Sequence, residues 1–164
     1  MKKQGTWSRT DKIARWSLVV SVAALLLAAT PLIGDWIAWL REPAASISSL
    51  DQNATLIGEN QKISGRADHL PKDGDLWLIV RTADPGDWYP QQKLEVSSDG
   101  IWNGEFDLGT PGRFQLSIYL ADRESSGVLA NSVETLEKNG FTKGVVSLPT
   151  QLVLMDSRAV IRAA

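Results

Sequence analysis

Seven residues, Asp84-Pro85-Gly86-Asp87-Trp88-Tyr89-Pro90, put two carboxylates and two aromatic rings into one short stretch. Carboxylates accept hydrogen bonds, and tryptophan and tyrosine rings stack on sugars or anchor a protein partner. Trp88, Tyr89, Asp84 and Asp87 are therefore the candidate binding residues. Few other residues invite chemistry. The chain has no cysteine, which excludes disulfides, thiolate zinc sites, iron–sulfur clusters and cysteine nucleophiles. Its single histidine, His69, lies in the polar turn "ADHLPKDG" and reads as a solvated loop residue. No G-x-S-x-G elbow and no phosphate-binding lysine loop is present.

Asp84, Asp87, Asp99, Glu105 and Asp107 could pair as the two acids that straddle a glycosidic bond. All five sit in or beside predicted turns, where aspartate bonds its own backbone. "KDGD" and "DPGD" gather oxygen atoms, but neither fits the twelve-residue calcium loop. The reading is a non-enzyme without metal or cofactor, with a hydrolase as a remote alternative. Asn53-Ala54-Thr55 matches a glycosylation sequon and is read as a chance occurrence.

The elements around these residues are mostly strands. "DLWLIVRTA" is a continuous apolar run of β-formers, as expected of a central strand buried on both faces. Trp77 within it is expected in the core, as is Trp102. In "RFQLSIYLA", Phe114, Leu116, Ile118 and Leu120 alternate with Gln115, Ser117 and Tyr119, the period of a half-buried strand. "NQKISGRAD", "KLEVS", "IWNGEFDL" and "LVLMDSRAVIR" supply further strands, with turn signals between them. Residues 41–54 read as a linker with one short strand around Ile47. Only "ESSGVLANSVETLEKNG" departs, with Leu129, Val133 and Leu136 at helical spacing and Asn139-Gly140 closing it. About seven short strands and one helix predict a mainly β fold, a β-sandwich with Greek-key connections over residues 55–164.

The succession "ISG", "LWLIV", "WYPQ", "FQLSIYLAD", a short helix, "LP" and "RAVIR" resembles an immunoglobulin-like sandwich domain of bacterial membrane-anchored proteins over residues 46–162. That resemblance implies the fold and a single membrane helix ahead of it. It implies no catalytic residues. On this reading "DPGDWYP" is a loop that ends the central strand, its prolines holding Asp84 and Tyr89 extended. Its two rings then either plug the sandwich edge, the preferred reading, or form the contact surface.

The N-terminal end reads as a membrane anchor. From Trp16 to Gly34 no residue is charged, and 19 helical residues span roughly 28 Å, close to the bilayer's hydrocarbon thickness. Trp16, Trp36 and Trp39 bracket the run as interfacial residues. Residues 1–15 carry five basic residues and one acid, leaving 12 basic residues and 18 acids beyond them. The positive-inside bias makes 1–15 a cytoplasmic tip, 16–40 a transmembrane helix in contact with lipid, and the rest extracytoplasmic. A cleaved signal peptide and a buried core helix are the competing readings. An acidic body argues against nucleic acid. The expected function is a membrane-tethered interaction or sensing module for a protein partner, with envelope polysaccharide as the alternative ligand.

Overall fold

The computed structural model describes residues 41–58, 60–82 and 86–164. The basic tip, the membrane segment with Trp16, Trp36 and Trp39, and the candidate residue Asp84 lie outside the described residues. Among the described residues no helix is long and apolar enough to cross a membrane.

Alternation of apolar and polar residues sets the architecture. The strands are β1 (Ala44–Ile47), β2 (Ala54–Leu56), β3 (Gln61–Asp68), β4 (Asp75–Thr82), β5 (Trp88–Leu94), β6 (Ile101–Phe106), β7 (Gly112–Ala121) and β8 (Val153–Arg162); one long helix, α1 (Arg123–Lys138), lies between β7 and β8. They form two sheets, β1-β3-β6 and β2-β8-β7-β4-β5. Every pairing is antiparallel except that of β2 with β8. Among the described residues the fold is mainly β, two sheets with this one helix.

The two sheets enclose one core. Ile63, Ala67, Trp102 and Phe106 of the smaller sheet pack with Leu76, Leu78, Val80, Leu116, Ile118 and Val160 of the larger one. Trp102, as expected, is fully buried. It fits because its register partner is Gly65, where a Cβ would run into the Trp102 ring and the Ser46 carbonyl oxygen. The strand foreseen near Ile47 is β1, and it brings Ala45 and Ile47 into this core. The compact unit accordingly runs from Pro43 to Ala164.

β4 explains its unbroken apolar run by being covered twice. Leu76, Leu78 and Val80 face the sandwich; Trp77 and Ile79 face the other way, into a second cluster with Leu129 of α1. Trp77 is thus buried as expected, beneath the helix. α1 starts where the Asp122 carboxylate accepts the Ser125 N–H at 2.8 Å, an N-cap. It ends before Gly140, whose φ of 61° suits glycine.

One edge of the sandwich is closed by side chains instead of a ladder. The Ile47 N–H donates to Asp156 Oδ2 at 2.8 Å, and Arg158 Nη2 donates to the Ile47 carbonyl at 3.2 Å. Arg158 and Asp156 are themselves an ion pair at 2.5 Å. The backbone groups of β1 therefore find partners on β8 although the two strands belong to different sheets.

Candidate functional site

The stretch expected as a loop is half strand. β5 begins at Trp88, and Pro90 lies inside it. A proline is tolerated there because β5 is the sheet's edge and a bulge follows. Ile79 pairs with Pro90 while Leu78 pairs with Gln92, so Gln91 is the extra residue. Sequence periodicity placed a strand only from Lys93, the start of "KLEVS", because the proline and the bulge break the alternation before it.

Strand geometry then separates the two aromatic rings. Tyr89 points inward and packs on the sandwich core, while Trp88 points outward and packs on the cluster beneath α1. Both are half-buried. Asp87 lies beside them, since a Cβ at Gly144 would come within 2.7 Å of Asp87 Cβ and 2.9 Å of Tyr89 Cζ. The Trp88 backbone is bridged to Val145, donating at 3.0 Å and accepting at 2.8 Å. Asp87, Trp88 and Tyr89 are brought together along the chain, but the two rings serve opposite faces of one sheet.

The outer face of the larger sheet has two unlike halves. One lies under α1 and the segment after it, where Trp77, Ile79, Tyr119 and Ala121 meet Leu129, Val133, Leu148 and Leu152. This half is fastened by polar groups. Trp77 Nε1 donates to Ser126 Oγ at 3.0 Å, Ser126 Oγ donates to Asp75 Oδ2 at 2.6 Å, and Lys93 Nζ lies 2.8 Å from Asp75 Oδ1. Burial pushes the Asp75 carboxyl up, but the hydrogen bonds from Lys93 and Ser126 and the lysine's charge outweigh it. The group is held below the ordinary aspartate value.

At the boundary stands a stack. The Trp88 ring meets Tyr119 edge-on, with centroids 6.3 Å apart at 77°, and the Arg81 guanidinium lies 4.7 Å from the Trp88 centroid. Burial pushes the Tyr119 hydroxyl's pKa up, and the charge of Arg81 partly opposes it.

Beyond Arg81 none of the described helices or strands covers the face, which forms a groove of about 500 Å³. Arg81, Arg113, Gln115, Ser157 and the Gln52–Asn53 turn line it, over a floor that includes Ala159. The turn is pinned to β8: the Asn53 N–H donates to the Ala159 carbonyl at 2.7 Å, and the Ala159 N–H donates to Gln52 Oε1 at 3.4 Å. Asn53 adopts a left-handed φ of 63° to make this approach. Gln115 Nε2 donates to Ser157 Oγ at 3.4 Å. Among the described residues no carboxylate lines the groove. Among the described residues neither Arg81 nor Arg113 has a salt bridge, and both are exposed.

Sequence reasoning named none of these groove residues as a site. The available signal was Gln115 on the polar side of an alternating strand and a lone arginine after an apolar run. Only the pairing of β4 with β7 puts them side by side. Of the carboxylates read as turn residues, two bond locally: Asp99 accepts from Ser97 Oγ at 2.5 Å and Asp107 accepts from the Gly109 N–H at 2.9 Å. Glu105 lies within β6 and pairs with Lys62 of β3 at 3.7 Å. His69 is exposed in a turn with φ 56°.

No protein-family model matches the chain, and no curated protein matches it. Among solved structures, it is similar to a crystal structure of an engineered protein at 1.98 Å, with TM-score 0.45 and 10% identity. The likeness covers 75% of this chain and 20% of that one, so the chain spans about a fifth of that protein's length.

Proposed function

We propose that the chain is a single-pass, membrane-anchored, non-enzymatic module whose extracytoplasmic domain binds a protein partner through the bare half of the outer β-face. The observation that carries this reading is the asymmetry of that face. One half is sealed by α1, and the adjoining half is an open groove with no carboxylate among its described lining residues, beside an arginine set against the Trp88 ring. A sheet face left uncovered beside a covered one is a natural seat for a second molecule.

The immunoglobulin-like assignment is part of the proposal. It is supported by the order β1-β3-β6 facing β2-β8-β7-β4-β5, in which the chain crosses between sheets at every step except β4 to β5 and β7 to β8. The anchor is supported by the uncharged run from Trp16 to Gly34 and its basic flank. Use of Trp88 as a sugar-stacking platform has less support, because the Arg81 guanidinium lies over its ring and Tyr89 faces the core.

The test is site-specific photo-crosslinking in cells, with a photoreactive residue at Gln115 in the groove or at Glu134 on the exposed side of α1. A discrete protein adduct at Gln115 that is absent at Glu134 is the expected result. Identical adducts at both positions, or none at Gln115, would rule the contact surface out.

A further inference from the structure

We infer that the groove between Arg81 and Arg113 takes an extended acidic segment of the partner protein, with carboxylates at alternate positions meeting the two guanidiniums. This deepens the reading of the bare face as a contact surface and rests on it.

Register fixes the spacing. Arg81 of β4 stands opposite Gln115 of β7, so Arg113, two residues earlier on β7, is its diagonal neighbour on the same face. Diagonal neighbours lie about 7–8 Å apart. Alternate residues of an extended chain lie about 7 Å apart and point to the same side. Two acids one pleat repeat apart on a strand-like segment therefore match the two arginines. A single carboxylate would occupy one guanidinium fork and leave the other unmet.

Charge and rigidity favour the same occupant. Residues beyond 15 hold 18 acids against 12 basic residues, yet the described lining of this groove holds two guanidiniums and no acid. It is a basic site on an acidic body, attracting anions where the rest of the surface repels them. Arg81 is held against the Trp88 ring, which orients its planar fork before a ligand arrives. Arg113 supplies a second, exposed guanidinium. Between them the floor offers the Gln115 amide and the Ser157 hydroxyl, groups able to bond a peptide backbone. Ala159 is small enough to let that backbone come close.

The full-length protein in detergent micelles can be titrated with a fluorescein-labelled, threonine-rich peptide carrying glutamates at alternate positions. Its controls are the same peptide with glutamines, and a uronic-acid polysaccharide. Saturable, salt-sensitive binding of the glutamate peptide is expected, with no binding of the glutamine peptide. Arg113→Gln should weaken it ~10-fold, the loss of one charge-assisted contact. Arg81→Lys keeps the charge but not the fork, and should weaken it less than Arg81→Gln. Arg113 makes no described hydrogen bond or ion pair, so R113Q should melt with the parent and report binding alone.

Equal binding of the two peptides, or unchanged affinity of R113Q, overturns the inference. So does binding of the polysaccharide without the peptide. An adduct at Gln115 with no affinity for the acidic peptide overturns this inference and leaves the contact surface standing. Absence of any adduct strikes the contact surface itself.

Discussion

Asp75 shows how one side chain can serve two elements. It accepts from Ser126 of α1 and pairs with Lys93 of β5, and Ser126 in turn accepts from the Trp77 indole. A buried tryptophan needs a partner for its N–H, and here the partner also seats the helix. The pKa of Asp75 in the folded state lies below the ordinary value of 3.8. Its contribution to stability is therefore complete above that value and fades as pH falls through the folded pKa. Asp75→Asn should lower the melting temperature at neutral pH, and the gap to the parent protein should narrow at about pH 2.5. Thermal melts at the two pH values check this; a gap that stays constant would mean the carboxylate's charge is not what matters. Arg81 and Trp88 teach a related lesson. The Trp88 ring, read from sequence as one of two alternatives, a plug or a contact surface, lies against the Arg81 guanidinium.

At the scale of elements, the edge formed by β1 and β8 depends on side chains standing in for a ladder. Asp156 and Arg158 satisfy both backbone groups of Ile47, and a buried backbone group left without a partner is costly. Asp156→Ala should destabilise the fold by about 1–3 kcal/mol and should selectively lose hydrogen-exchange protection at the Ile47 amide. Unchanged exchange at Ile47 would show that β1 is held by its pairing with β3 alone. The elements differed in how plainly the sequence announced them. α1 was legible because Leu129, Val133 and Leu136 recur along one helical face. β7 was legible because four apolar residues alternate without interruption. β5 was legible only from Lys93, since a strand with Pro90 and an extra residue at Gln91 has no regular period. β1 was recognisable only as a short strand near Ile47; that it belongs to the core depends on β3 and β8, which lie far along the chain.

For the molecule as a whole, the expected topology puts residues 42–164 outside the cell membrane, held by the run from Trp16 to Gly34. Protease added to intact spheroplasts should digest a C-terminal tag, and the protein should fractionate with membranes after a high-salt wash. Protection of the tag, or release by salt, would reverse the orientation or remove the anchor. Composition and periodicity by themselves determined much of this protein. They excluded cysteine and multi-histidine chemistry, and they predicted two-faced strands, a helix near the C-terminal end and the burial of Trp77 and Trp102. These are local properties, because each follows from residue types and spacing within one segment. The candidate site is different. Arg81 of β4, Arg113 and Gln115 of β7, Ser157 of β8 and Asn53 of the turn before β2 come from four separate segments and become neighbours only through strand register. Where the two rings of "DPGDWYP" point likewise depends on tertiary structure. Strand alternation at an edge turns Tyr89 into the core and Trp88 toward Arg81, and no local pattern encodes which sheet face remains uncovered.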